Sequence, residues 1–526
     1  MTNTPTPPKP KTTLDKDLKK ITKVEAAAQV QSQAMARVGL GFLFLVAVWI
    51  FTSTQGMAFS PFVIAAAVIG GYMAINIGAN DVANNVGPAV GSKALTLTGA
   101  ILIASIFEAG GALIAGGDVV STIKSGIIDP SLMPDAATFM TTMLAALLAA
   151  ALWLNLATYL GAPVSTTHAI VGGVMGAGIA ATGFGAVNWS TMSKIAASWV
   201  ISPIMGGVIA ALFLYFLKVN VLYKADKITA AKRWVPVVVA IMAGAFTMYL
   251  MTKGIKKVYK SNWMETIAAG IAIYALAWYA TRARIQSVSQ HMENRRKSVN
   301  ALFVLPLIIS AALLSFAHGA NDVANAVGPL AAIVSAASSG EIVTKAGIPL
   351  WVMLVGAVGI SLGLMLFGPR LIKTVGQEIT KLNPVRAFCV ALSAAITVII
   401  ASALGLPVSS THIAVGGVFG VGFLREYLSR RETRQRRLSP LAAAGAGMTQ
   451  GLHTIEEAAP PLQHLPGNAA APEPTPNKAV RKANQRKLVR RTHAWTIAAA
   501  WVITVPLAAL LAAGLYFAMI KMGVHP

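Results

Sequence analysis

Long apolar runs separated by short polar segments dominate the hydrophobic pattern of this chain. Each run is close to the roughly 20 residues that an α-helix needs to cross a bilayer core, and none alternates like a β-barrel strand. The pattern therefore predicts an all-α polytopic membrane protein. The runs are Val38–Ala58, Phe62–Ala79, Leu95–Ala115, Phe139–Leu160, Met192–Leu217, Val235–Met251, Trp263–Ala280, Ala301–Ala317, Leu350–Ile372, Phe388–Leu404 and Trp495–Ile520.

Composition and charge agree with a membrane location. Of the 526 residues, 55% are hydrophobic and 12% are charged, and the formal charge is +24. The basic residues cluster beside the apolar runs, which indicates contact with a membrane surface and argues against a nucleic-acid binder. Residues 1–37 are polar and rich in Pro and Lys, so we expect a disordered tail and no cleaved signal peptide. Cys389, the single cysteine, implies neither a disulfide nor a metal site.

Two different motifs each occur twice in the same order. "GANDVANNVGP" begins at Gly78 and "GANDVANAVGP" at Gly319, and their aspartates, Asp81 and Asp322, are 241 positions apart. "PVSTTH" ends at His168 and "PVSSTH" at His412, 244 positions apart. This recurrence predicts an internal duplication. It divides the chain into a tail (1–37), an additional helix (38–58), repeat 1 (59–217), connecting helices (218–298), repeat 2 (299–424), a basic Pro-rich cytoplasmic loop (425–493) and a C-terminal helix (494–526).

The two repeats are expected to have opposite orientations in the membrane. Suppose that each hydroxyl-rich motif is the tip of a re-entrant hairpin. The chain then crosses the membrane five times between the starts of the two GANDVAN motifs, and an odd number of crossings inverts the second repeat. With the N-terminus inside, most basic segments also lie inside, as the positive-inside rule prefers. The lysines between 253 and 260 would lie outside, which disagrees with this rule, and the helix boundaries around 252–262 stay open. Inverted repeats with interrupted helices are typical of secondary transporters.

The first motif places an ionisable residue at membrane depth. Helical spacing groups Asp81 with Asn84 and Asn85, and Asp322 with Asn325, while a Gly before and a Pro after each aspartate are expected to loosen the helix. Carboxylates beside amide oxygens suit a hard cation, although such residues could also serve as structural caps. Because intramembrane acids are usually functional, we predict a cation-coupling site at Asp81, Asp322, Asn84 and Asn325.

The second motif supplies neutral hydrogen-bond donors. Its hydroxyls follow a helix-breaking proline and precede a new helix, so free amides, the helix dipole and the hydroxyls could together bind an oxyanion. An ordinary N-cap is the alternative. The predicted phosphate-binding residues are Ser165, Thr166, Thr167, Ser409, Ser410, Thr411, Asn80 and Asn321.

Phosphate is the preferred oxyanion. Monohydrogen phosphate can donate its P–OH proton to a carboxylate, whereas sulfate cannot. A sulfate carrier of the same fold is the alternative among transporters, and a channel also remains open. An enzyme is not expected, since the chain lacks a nucleophile elbow and a nucleotide loop.

The four motifs closely resemble the signatures of the inorganic phosphate transporter (PiT) family, from Phe62 to Gly422. The resemblance implies a bacterial inner-membrane symporter that takes up inorganic phosphate, or a metal–phosphate complex, with H⁺ or Na⁺. It implies no cofactor, and it leaves a homodimer open. The family's functional glutamate falls on Glu108 and its histidine on His318.

One departure from the family pattern concerns the coupling ion. Na⁺-coupled relatives carry a second glutamate where this chain has Ala391. Losing a hard oxygen ligand weakens a Na⁺ site more than it hinders a proton carrier, so the sequence favours H⁺.

Overall fold

The computed structural model describes residues 13–56, 60–160, 164–254, 259–342, 347–369, 372, 382–431 and 491–524. These residues form helices, and the β-type pairing among them is one isolated bridge between Ile128 and Val187. Ten helical segments are long and apolar enough to cross a membrane, so the all-α, multi-pass prediction is confirmed. Residues 263–288 are helical as expected, but this helix is not among the ten.

The helices are numbered in chain order. They are α1 (Thr13–Ser53), α2 (Ser60–Asn80), α3 (Val82–Gly91), α4 (Leu97–Ala115), α5 (Gly117–Ser125), α6 (Ala136–Leu160), α7 (Thr166–Thr182), α8 (Trp189–Leu217), α9 (Lys227–Tyr249), α10 (Trp263–Val288), α11 (Arg296–Leu302), α12 (Val304–Ser339), α13 (Leu350–Phe367), α14 (Pro384–Ala403), α15 (410–431) and α16 (Arg491–Lys521). Short π-helical segments extend α8 to Leu222 and α9 to Gly254.

Two predicted irregular segments are partly helical. The tail prediction for 1–37 is wrong from Thr13 onward, because α1 begins there; residues 1–12 lie outside the described residues. The Ala, Glu, Lys and Gln residues after the proline-rich start are strong helix formers, which outweighs their polarity. The loop prediction for 425–493 is wrong at both ends, since 425–431 and 491–493 are helical. Residues 432–490 lie outside the described part of the chain.

The two signature helices differ from each other. In the first copy the helix is interrupted at Asp81, between α2 and α3, whereas α12 runs without a break through Asp322. Gly78 also has a packing role that the sequence did not predict. A Cβ at this position would lie 1.9 Å from the carbonyl oxygen of Ile360, so the glycine allows close packing of α2 on α13.

Helices α6 and α7 form one hairpin and α14 and α15 form a second, and their tips contact each other. The Thr167 hydroxyl donates to the Val408 carbonyl over 3.0 Å. The His168 and His412 rings lie with their centroids 4.5 Å apart. Hairpins that enter from opposite faces of a membrane would meet in this way, which agrees with the predicted inversion of the repeats.

Helix α8, which follows the first hairpin, packs on the second one. A Cβ at Gly416 would lie 2.2 Å from the Pro203 carbonyl oxygen, and one at Gly420 would lie 2.0 Å from that of Gly207. The backbones of α8 and α15 therefore approach along a small-residue face, as in other membrane helix pairs.

Helix α16, which follows the second hairpin, packs on the first one in the same manner. A Cβ at Gly172 would lie 2.6 Å from the Val505 carbonyl oxygen, and one at Gly176 would lie 2.2 Å from that of Ala509. These glycines precede Gly416 and Gly420 by 244 positions, the offset of the two histidines. Helices α8 and α16 therefore hold equivalent places, and each completes the other repeat's hairpin.

The segment that disagreed with the positive-inside rule has an acidic partner. The Lys253 ammonium lies 2.7 Å from the Asp118 carboxylate, just beyond the end of α4. This pair neutralises one of the lysines in that segment.

Candidate functional site

The candidate site lies where the interrupted helix at Asp81 meets both hairpin tips. Asp81, with 1% of its surface exposed, accepts a hydrogen bond of 2.7 Å from the Thr166 hydroxyl and one of 2.9 Å from the Thr411 hydroxyl. One carboxylate therefore links the two hydroxyl runs.

Asp322 is the second carboxylate of this site. It accepts from the Ser410 hydroxyl over 3.3 Å, and the Thr166 hydroxyl lies 3.5 Å from the same oxygen. Thr166 thus lies between the two aspartates. One oxygen of each aspartate and a nitrogen of His318 lie within 4.8 Å of one another. The close approach of two buried acids favours protons or cations around them.

The predicted asparagines join the two repeats across the site. Asn84 donates to the Thr411 hydroxyl over 2.8 Å. Its counterpart, Asn325, donates to the hydroxyls of Thr166 and Thr167 over 3.1 and 3.3 Å. Each repeat therefore contributes an amide that binds the hydroxyl run of the other.

A chain of polar side chains extends from Asp322 into α4. His318 Nε2 lies 2.9 Å from the Asp322 carboxylate, and Nδ1 lies 3.1 Å from the Glu108 carboxylate. Glu108 also accepts a hydrogen bond of 2.8 Å from Asn85. The structure thus brings Glu108 and His318 to the predicted cation-coupling residues. Ile77 stands where His318 would have its counterpart in repeat 1, so this chain of side chains is asymmetric.

Several buried oxygens in the site have no hydrogen-bond donor among the residues that the structure describes. All of them are acceptors, so a bound cation or a donated proton would satisfy them, whereas an additional acceptor would not. They are Asn84 Oδ1, Asn85 Oδ1, Glu108 Oε2, Asp322 Oδ1 and Asn325 Oδ1.

Ser165 and Ser409 act as helix N-caps, the alternative that the sequence left open. The Ser165 hydroxyl oxygen accepts from the His168 amide over 3.1 Å, and that of Ser409 accepts from the His412 amide over 3.3 Å. Both caps orient a helix whose positive N-terminal end lies beside the aspartates, which favours an anion there.

Asn80 and Asn321 lie at the flanks of the site. Asn80 donates to the Thr158 hydroxyl over 3.1 Å, and Asn321 donates to the Ser402 hydroxyl over 2.9 Å. Sequence reasoning missed both partners. The signal was present, because Thr158 and Ser402 are 244 positions apart, as the two histidines are.

Ala391 is fully buried in α14. A buried methyl group therefore stands where Na⁺-coupled relatives are expected to carry a carboxylate.

Comparison with known proteins decides the family. A model of the phosphate transporter family matches residues 77–512. The chain belongs to the phosphate transporter family. It is 50% identical to a protein of Helicobacter pylori (strain J99) that carries the provisional name phosphate permease, over 87% of this chain and 90% of that one. A similarly named protein of Pyrococcus horikoshii is 39% identical over 69% of this chain and 89% of its own.

A solved structure of this family has the same fold. The protein, titled the sodium-dependent phosphate transporter, aligns with a TM-score of 0.72 and 32% identity, over 88% of this chain and 99% of its own. The family model and this structure both describe transporters and not enzymes. This chain is therefore a multi-pass phosphate transporter.

Proposed function

We propose that this protein imports inorganic phosphate across the bacterial inner membrane by symport with a cation. The observation that carries the proposal is the burial of three carboxylates, Asp81, Glu108 and Asp322, around one histidine, His318, each at most 1% exposed. Even with the histidine protonated, ionised carboxylates would leave the site net negative. A phosphate dianion beside them would be prohibitively costly unless cations or protons entered with it.

Neutral donors and helix ends provide the phosphate site in this proposal. The hydroxyls of Thr166, Ser410 and Thr411 donate to the aspartates in this structure. Small rotations would turn them toward a bound oxyanion, and the capped N-termini of α7 and α15 would supply amides. The aspartates would accept the P–OH proton. Weak neutral donors allow release, which a transporter requires.

The coupling ion has two candidates, and a proton is the first. Glu108, His318 and Asp322 lie in a row with N–O distances of 3.1 and 2.9 Å, so a small turn of the imidazole would let it carry a proton between the two acids. The absence of a carboxylate at Ala391 points the same way.

Sodium is the second candidate, and the donor-free oxygens of Asn84, Asn325 and Asp322 favour it. Such oxygens are hard ligands that suit a small cation. The structural neighbour is sodium-dependent by its title and shares 32% identity, so a Na⁺ site on these oxygens is consistent with the fold.

Uptake of labelled phosphate by proteoliposomes tests the proposal. Arsenate should compete, and excess sulfate should compete poorly; equal competition by sulfate and arsenate would overturn the phosphate site. Uptake should stop when the ion gradient is removed. Replacing Na⁺ by choline at fixed pH, and then adding a protonophore, separates the two candidate ions, and a requirement for Mg²⁺ would instead indicate a metal–phosphate complex. Uptake that neither saturates nor responds to an ion gradient would indicate a channel.

A further inference from the structure

A cleft of about 550 Å³ opens between α1, α2, α6 and α13. Its walls are mostly apolar, with Leu45, Ile75 and Leu366 among them. The polar side chains in the lining are Arg37, Tyr72, Asn76, Asn155, Thr158 and Tyr159.

The polar residues of the cleft form a strip that leads toward the transport site. Tyr72, Asn76 and Asn80 follow one another at four-residue spacing on α2, so they share a face. From α6, Asn155 lies on the surface and its amide nitrogen is 3.5 Å from the Asn76 side-chain oxygen. An exposed amide facing lipid would be costly, so this strip indicates an aqueous cleft.

A hydrogen bond links the lining of the cleft to the transport site. Thr158 lines the cleft and accepts the amide of Asn80, the residue immediately before Asp81. Opening this bond would join the cleft to the carboxylates. Arg37, at the end of the cleft nearest the N-terminal part of α1, would attract an anion.

The corresponding place in the other repeat is closed. Asn321 and Ser402 make the equivalent hydrogen bond, over 2.9 Å. Behind it, Phe316 packs edge-on against Phe246 with ring centroids 5.2 Å apart, and buried Tyr249 joins the same cluster.

The position equivalent to Asn155 is also apolar. Ile399 stands 244 positions after Asn155 and packs against the aromatic cluster. Two places related by the duplication thus differ, since one is an open cleft with a polar strip along a mostly apolar wall and the other is filled by the aromatic cluster.

We propose that the cleft is the cytoplasmic route by which phosphate leaves the transport site, with the Asn80–Thr158 bond as its gate. The aromatic cluster behind Asn321 and Ser402 closes the opposite route. This inference rests on the proposed function. It adds Tyr72, Asn76, Asn155 and Thr158 as residues along the path and describes an occluded conformation, in which the cleft is open but the gate bond is formed.

Thiol labelling of the full-length chain tests the route. Cys389 is fully buried, so unmodified protein should give little background. The variants are Asn155→Cys and, as the matched control, Ile399→Cys. A membrane-impermeant anionic thiosulfonate is added to inside-out vesicles or to intact cells, with and without phosphate. A Tyr159→Cys variant, at an exposed position of the same cleft, replaces Asn155→Cys if the latter does not assemble.

We expect Asn155→Cys to react from the cytoplasmic side about tenfold faster than Ile399→Cys, because Ile399 is partly buried against the aromatic cluster and a thiol there must wait for local opening. Saturating phosphate should slow this reaction, and labelling should block uptake. Reaction only from the outside, equal rates for the two variants, or labelling that requires removal of lipid by detergent would overturn the route.

Which anion protects Asn155→Cys from labelling distinguishes a failure of the proposed route from a failure of the phosphate assignment. Protection by sulfate but not by phosphate would leave the route intact and contradict phosphate as substrate. Cytoplasmic labelling that neither anion slows would overturn the route while leaving phosphate uptake unaffected.

Discussion

Asn85 donates a hydrogen bond of 2.8 Å to Glu108 from a position that the second repeat fills with Ala326. Repeat 2 therefore has no amide at the position equivalent to Asn85, so it cannot make the equivalent of this hydrogen bond. The two repeats share the aspartates and the hydroxyl runs. They differ at the row of side chains Glu108, His318 and Asp322, so the residues proposed for coupling lie on one side of an otherwise duplicated site.

Asn85→Ala should slow transport because it removes a donor to the Glu108 carboxylate. A hydrogen bond to a charged group contributes about 1.5–3 kcal/mol, which corresponds to roughly a 10- to 100-fold loss of rate. The measurement is the initial rate of phosphate uptake at equal protein density. Asn220→Ala is the control, since the Asn220 amide donates within its own helix, to Phe216. An unchanged rate for Asn85→Ala would mean that Glu108 does not depend on this contact.

Asp81→Asn and Asp322→Asn should each abolish uptake while leaving the protein in the membrane. Asparagine keeps the shape and one acceptor oxygen but removes the charge that a cation or the P–OH proton would meet. Asp135→Asn is the matched control, because Asp135 is exposed and its side chain accepts a backbone amide hydrogen bond that asparagine can also accept. Normal uptake by either buried variant would assign that aspartate a structural role.

Glu108→Gln should separate substrate binding from coupling. Glutamine still accepts from Asn85, but it can neither be ionised nor carry a proton. We expect accumulation driven by an ion gradient to be lost, while exchange of internal for external labelled phosphate continues. Loss of both activities together, with normal protein in the membrane, would show that Glu108 is needed for the substrate site itself.

Gly176→Ala should destabilise the contact between α7 and α16. Its methyl group would lie 2.2 Å from the Ala509 carbonyl oxygen, and such overpacking typically costs about 1–3 kcal/mol. Thermal unfolding in detergent should therefore occur about 2 °C or more below that of the unmodified protein. Gly514→Ala is the control, because a Cβ on Gly514 meets no atom within 4 Å. Equal shifts for both variants would mean that helix propensity outweighs packing here.

Sequence patterns predicted the centre of the site because the duplication marks it twice. If the two hairpin tips converge, both aspartates and both hydroxyl runs must lie close together. In the structure, the Thr166 hydroxyl donates to Asp81 and lies 3.5 Å from Asp322. Glu108 and His318 came only from the resemblance, since nothing in their spacing links α4 to α12.

Other features depended on packing that spacing does not encode. Gly78 looked like a helix breaker, but its role follows from the approach of α13, a helix far away in sequence. The helical start at Thr13 was missed because polarity and proline content outweighed local helix propensity in the prediction. Thr158 and Ser402 are separated by the same offset as the two histidines, but neither residue lies in one of the repeated motifs.

The exchange of α8 and α16 makes the two halves of the chain interdependent. Helices of the other half cover Gly172 and Gly176 as well as Gly416 and Gly420, so a fragment ending before residue 491 would expose the face around Gly172 and Gly176 to lipid. Two co-expressed fragments, 1–431 and 491–526, should therefore reassemble into an active carrier, and insertions into the intervening segment should leave phosphate uptake intact.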